Sequence, residues 1–299
     1  MYRVWKAMPV YNCNTLLGEG PVWDSSEQAL YFTDITGQHV WRYSPAVHVC
    51  TSFRTSRPVS LVIPADDGRL LLGLQGSLTL TDKRFRSMEN ILAVEPHIPL
   101  NRCNDGKCDA AGRLWFGTMH IHALPHQGAL YCYDGSLHKK LDSISISNGL
   151  CWSADHTAMY YIDTHERTIR AYDFNMETAA ISHPRVVART VEYPDGMCMD
   201  REGMLWVAMW GGGCVNRYHP QTGELTGSVR VNAPHVTSCA FGGPEMDTLY
   251  ITTARKDLTA AQLAAYPDSG ALFAVKLPVR GLPAHTFSIP AWKQPHTRF

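Results

Sequence analysis

No apolar run in this chain approaches the roughly 20 residues that a bilayer crossing needs, and none stands behind a basic start as a secretory leader would. The expectation is a protein without a membrane span or signal peptide, resident in the cytoplasm. Excess charge of either sign is also missing. The 27 Lys and Arg residues face 27 Asp and Glu residues, and neither sign gathers in a block. A surface without such a field has little hold on nucleic acid or an anionic membrane, so neither is expected as a partner. CxxC pairs are absent, although nine cysteines are scattered along the chain. An odd number of dispersed thiols suits a reducing compartment better than a disulfide framework. Cys103 and Cys108 come nearest to a zinc or disulfide pair. The plainer reading takes Cys108, Cys151, Cys198 and Cys239 as small apolar residues on inner strands.

Helical periodicity is scarce, and only about Leu258 to Tyr266 reads as a convincing helix. That scarcity excludes a parallel α/β fold, which needs amphipathic helices between its strands, and excludes ankyrin-type repeats. A chain with 10% aromatic and 18% charged residues fits a sheet-rich protein with much buried surface.

What the chain does have is a period. Four segments align beneath one another: EGPVWDSSEQALYFTD from Glu19, NDGKCDAAGRLWFGTM from Asn104, NGLCWSADHTAMYYID from Asn148 and DGMCMDREGMLWVAMW from Asp195. Each opens on a polar residue, continues through a short apolar run and a turn, and ends in a second apolar run. That is an inner strand, a tight turn and an antiparallel partner. Weaker copies begin at Ser60 and Ser238, so successive starts lie 41, 44, 44, 47 and 43 residues apart. This is the length of a four-stranded propeller blade. The expected fold is all-β, a six-bladed β-propeller forming a single domain over residues 1–299 around a central metal-binding channel. One terminus is expected to complete the last blade, because an open sheet edge would otherwise be exposed.

Equivalent positions of the repeat form a ring around the propeller axis: Glu19, Ser60, Asn104, Asn148, Asp195 and Ser238. Every member carries a side-chain oxygen. Two carboxylates and two carboxamides converging in a channel suit a hard divalent cation. Isolated acidic residues are more often turn residues, but the shared register favours Glu19, Asn148 and Asp195 as ligands. Trp115, Tyr160, Tyr161 and Trp206 fall on second strands and read as packing core. Trp210, before the Gly211-Gly212-Gly213 loop, is the better aromatic candidate for a ligand contact near the channel mouth. Asp105 reads as structural. His120, His122 and His126 lack further ligands at zinc spacing, and their loop reads as a lid over the channel mouth.

The runs GEGPVWD, RCNDGKCDAAGRLWFGTM, SNGLCWSADHTAMYYIDT and PDGMCMDREGMLWVAMWGGG, in this order, resemble the gluconolactonase/regucalcin (senescence marker protein) family of six-bladed propellers. The resemblance covers about residues 15 to 255. It implies a metal-dependent hydrolase that opens a sugar lactone to the aldonic acid by a metal-activated water. It implies one divalent ion on Glu19, Asn148 and Asp195, with Asp195 also the catalytic base. Arg102 and Asn104 would then hold substrate oxygens; the plainer reading of Arg102 is a surface salt bridge. Oxygen donors leave calcium, magnesium, manganese, zinc and Fe(II) open. Where some members carry an acidic pair after GTM, this chain has Met119-His120-Ile121-His122. His122 is retained as a substrate contact, and the sugar preference is expected to differ. The expected partner is a small sugar lactone and the expected state a monomer. The rival readings are a metal-dependent phosphotriesterase on the same scaffold and a non-catalytic calcium- or partner-binding propeller.

Overall fold

The computed structural model describes residues 2–289 and is almost entirely β; Met1 and residues 290–299, included in the expected domain, lie outside them. Six antiparallel sheets follow one another along the chain, each running from an inner strand outward. The inner strands are Gly18–Asp24, Val59–Pro64, Asn101–Cys108, Ser147–Trp152, Tyr193–Met199 and Val236–Gly242. All six predicted starts fall on these strands, and the two weaker copies form blades like the others.

Consecutive inner strands pack side by side, and the sixth packs against the first to close the ring. At that closure the Thr237 hydroxyl donates to the Gly18 carbonyl, and Trp23 stacks on Tyr250 with ring centroids 5.8 Å apart. The core lies between faces of adjacent blades, where alternate strand residues interdigitate. Trp115, Trp152 and Phe174 meet between the third and fourth blades; Trp206, Phe241 and Trp5 meet between the fifth and sixth. Trp115, Tyr160, Tyr161 and Trp206 are buried, as expected of packing core. The helix is Ala260–Ala265, capped by Thr259 and Gln262 in a capping box.

The N-terminus closes the last blade. Strand Met8–Tyr11 pairs antiparallel with Leu272–Lys276 as its outermost strand, while Arg3–Lys6 adds a fifth, parallel strand to the fifth blade. Met8–Tyr11 thus gives the sixth blade the four strands of a regular blade, and Arg3–Lys6 extends the fifth to five.

An aspartate after the inner strand locks two of the hairpins. Asp200 is fully buried. One of its oxygens accepts backbone N–H groups from Glu202 and Met204, both at 2.9 Å. The other accepts the Trp206 indole N–H at 2.9 Å and two N–H groups of Arg217 at 2.9 and 2.8 Å. Asp109 repeats this in the third blade with Ala111, Arg113 and Trp115. Truncation would strand a buried indole N–H and most of a guanidinium. Asp200→Ala is therefore expected to cost about 3 kcal/mol, measured by urea unfolding; a loss below about 1 kcal/mol would contradict this reading of the lock.

Candidate functional site

The inner strands of blades one, three, four and five carry a bulge at the axis. Residues 20–21, 104–105, 148–149 and 195–196 are each two residues set against one on the neighbouring strand. A bulge interrupts pairing and re-aims side chains, which suits it to the wall of a site. Glycine follows Glu19, Asn148 and Asp195, and the last two of these glycines have a packing reason. A Cβ on Gly149 would stand 2.6 Å from the Asp195 carbonyl oxygen, so only glycine lets the fourth and fifth inner strands approach this closely.

All six ring residues are buried. Their polar atoms meet across blades. The Asn104 amide donates to the Ser147 carbonyl at 2.7 Å and to Asn148 Oδ1 at 3.1 Å. Asn148 in turn donates to Thr164 Oγ1 at 2.7 Å, and Thr164 donates to the Pro194 carbonyl at 2.7 Å, next to Asp195. This chain fixes the Asn148 amide so that Oδ1, with a second lone pair, belongs to the axis. Ser60 is used differently, donating to the Cys103 carbonyl and tying the second blade to the third.

The electrostatics of the ring are unusual. Glu19, Asp105 and Asp195 are all buried and act on one another as like charges. Burial first, and Asp105 second, push the Glu19 carboxyl from its ordinary 4.5 up to about 8. Burial, then Glu19 and Asp105, push Asp195 well above the usual carboxylate range. Burial also raises Asp105, against the pull of Lys107. Asp195 Oδ1 and Asp105 Oδ2 are buried without a hydrogen-bond partner. Such orphaned acid oxygens are costly unless a cation or proton meets them.

Arg102 is the guanidinium nearest this cluster, and it is buried rather than part of a surface salt bridge. Its Nη1 donates to the Cys103 carbonyl at 2.9 Å and to Asn104 Oδ1. Burial lowers its pKa to about 10 against the opposing pull of Glu19, so it stays charged at neutral pH. Among the described residues no protein acceptor meets its Nε or Nη2. Those N–H groups are free to meet a ligand oxygen.

The expected residues divide plainly. Glu19, Asn104, Asn148, Asp195 and Arg102 come together at the axis. His122 is exposed on the loop after the third blade's second strand, its backbone N–H donating to His120 Nδ1 at 3.2 Å. Trp210 already has one face covered by His235, stacked at 4.0 Å. Asp105, read from the sequence as structural, is buried with its carboxyl in the acid cluster. The signal was its place in the pair Asn104-Asp105 before Gly106, where a two-residue bulge brings both to the axis.

A divalent cation fits this donor set. Glu19 and Asp195 supply negative charge, Asn148 a neutral oxygen, and the orphaned Asp195 oxygen marks a position built for a positive partner. Among the described residues no three His, Cys, Asp or Glu side chains stand at metal-ligand geometry, so an ion held here would draw on the amide oxygen of Asn148 as well. All nine cysteines are free, and neither Cys103 nor Cys108 takes part in a metal cluster or disulfide.

Comparison with known proteins bears on this site. The profile of the SMP-30/gluconolactonase/LRE-like region matches residues 17–255. Regucalcin of Danio rerio is 38% identical over 280 residues, covering 91% of this chain and 95% of that protein. YvrE of Bacillus subtilis, provisionally named a sugar lactone lactonase, is 36% identical over 271 residues, covering 89% of this chain and 93% of that protein. The solved structure of a regucalcin from Agrobacterium tumefaciens, described as a calcium-binding protein, superposes with a TM-score of 0.92 at 27% identity, covering 97% of this chain and all of that one.

Proposed function

The chain belongs to the SMP-30/gluconolactonase/LRE-like family, and from that premise we propose that it is a divalent-metal-dependent lactonase opening a sugar lactone to its aldonic acid. The observation that carries the reading is the buried acid cluster, in which Asp195 presents an unpartnered oxygen beside Glu19 and the fixed Asn148 amide. A propeller serving only as a scaffold has no reason to hold three mutually repelling carboxyls at its axis.

Glu19, Asn148 and Asp195 would hold the ion. When bound, it would supply Lewis-acid polarisation of the ester carbonyl and lower the pKa of nearby water. Asp195 accepts the proton of the attacking water. Arg102 and Asn104 bind hydroxyl and carbonyl oxygens of the substrate. The guanidinium also offsets negative charge developing on the carbonyl oxygen as the tetrahedral centre forms. Burial strengthens each of these interactions relative to water. His122 supplies a further contact from the mouth. Nine free thiols fit a cytoplasmic, reducing compartment.

Thr164 holds the Asn148 amide and the Pro194 carbonyl that precedes Asp195, and is a positioning residue. Thr164→Val is expected to weaken divalent-ion affinity by about tenfold, as loss of a ligand's outer hydrogen-bond partner does. Competition with a fluorescent chelator reads this directly; unchanged affinity would separate Thr164 from the site.

The function is tested by proton release in weak buffer across five- and six-membered aldonolactones, with chelator-treated protein and single added divalent ions. Metal-dependent acceleration over spontaneous opening supports the reading, and the panel ranks the sugars. Hydrolysis of a phosphotriester with none of any lactone would overturn it in favour of the phosphotriesterase alternative.

A further inference from the structure

The channel has a second end. After the last blade's third strand, the chain runs without regular structure beneath the propeller. At one side it is tied to the fifth and sixth blades, Arg201 N–H donating to the Arg280 carbonyl at 2.8 Å and Gly281 N–H to the Met246 carbonyl at 2.8 Å. At the other it is tied to the second and third, Phe287 N–H donating to the Pro64 carbonyl and Ser288 N–H to the Gly112 carbonyl, both at 2.9 Å. Phe287 is fully buried there, stacked on Tyr133. Residues 282–285 therefore cross under the axis as a strap.

Between strap and acid cluster lies a chamber of about 120 Å³. Trp23, Ile63, Trp152 and Phe241 form apolar walls, and Asp105-Gly106-Lys107 forms the roof. Glu19, Asn148, Asp195 and Arg102 do not line it; Asp105 of the acid cluster does, so the chamber adjoins the proposed metal site through that residue. Lys107 is the lining cation, beside the single acid Asp105, while burial and the neighbouring His156 lower the proton affinity of His285. Lys107 donates to the Met197 carbonyl, which leaves two of its three N–H donors for another partner. The two imidazoles stand with ring centroids 5.9 Å apart near the strap.

We propose that this chamber is a second ligand site, taking a small aromatic monocarboxylate whose ring lies among Trp23, Trp152 and Phe241 and whose carboxylate meets Lys107. Apolar walls with a few convergent polar groups describe a small-molecule site, and the unpaired ammonium donors of Lys107 suit an anion. The ring supplies the buried area that a hydroxyl-rich sugar acid lacks.

The probe is 2-naphthoate, followed by quenching of tryptophan fluorescence and by calorimetry, with neutral 2-naphthamide alongside. One naphthoate is expected to bind with or without chelator, at least tenfold more tightly than the amide. Lys107→Met is expected to erase that preference. Ala240→Phe, which fills the chamber from its wall and leaves Lys107 in place, is expected to weaken both probes tenfold or more. Absence of saturable binding would overturn the proposal, as would undiminished affinity in Ala240→Phe. Displacement of naphthoate by gluconate would also overturn it, by assigning the probe to the metal end of the channel. The lactone assay stands apart from all of these outcomes.

Discussion

Asp195→Asn is expected to lower kcat/KM for a lactone by about 10³-fold or more while raising the melting temperature of the chelator-treated protein. The two effects share one cause. In the free protein Asp195 is a buried acid with an orphaned oxygen, raised by burial and by Glu19 and Asp105. Replacing it with a neutral amide removes the repulsion and relieves the folded state. In the working enzyme the same change removes a charged metal donor and the proton acceptor together, and general-base catalysis alone is worth about 10²–10⁴. A purely structural aspartate would show the opposite stability effect, losing melting temperature along with activity. Kinetics and calorimetry on one preparation therefore distinguish the two roles.

The second large effect is a pH dependence of the metal-free protein. Glu19 has an ordinary value of 4.5 in the unfolded chain and about 8 in the folded one. Between those values the folded chain holds a proton that the unfolded chain has released, so stability falls as pH rises. The contribution is fully present below about 4.5 and lost by passage through about 8. The upward displacements of Asp195 and Asp105 act in the same direction. Each tenfold gain in proton affinity is worth about 1.4 kcal/mol, so the Glu19 effect alone is on the order of several kcal/mol. Chelator-treated protein should therefore melt at a lower temperature at pH 8 than at pH 6. An added divalent ion should raise that temperature more at pH 8, because its ligands must first lose their protons. Glu19→Gln should flatten the pH response. A metal-free protein whose melting temperature is unchanged across this window, or rises with pH, would contradict the shared burial of the three acids.

Much of this architecture was legible in the sequence because a propeller repeats a local unit. An inner strand opening on a polar residue, a tight turn and an apolar partner are all set by residues near one another in the chain, and six copies gave the blades and their ring. Contacts made at long range were not legible. The N-terminal strand that closes the last blade pairs with residues more than 250 positions away. The strap beneath the axis carries no period, and its anchors are backbone hydrogen bonds that any sequence can make. The place of Asp105 in the acid cluster was not legible, because an alignment taking one residue per blade hides a bulge that brings two to the axis. The locks at Asp109 and Asp200 had a visible signal, Asp-x-x-Gly-x-x-Trp at the same spacing in both blades, whose meaning came only with the indole and guanidinium contacts. The Asn-Gly and Asp-Gly pairs look like turns in sequence, yet Gly149 serves the close approach of neighbouring inner strands.

The most direct test of the account is a stoichiometric titration of chelator-treated protein with one divalent ion, following the rate of aldonolactone opening in a pH-stat. Activity should rise in proportion to added ion and break at one equivalent, with Asp195→Asn remaining at the spontaneous rate throughout. Full activity without added ion, or an Asp195→Asn variant that matches the parent, would contradict a single metal held by Glu19, Asn148 and Asp195 as the centre of the reaction.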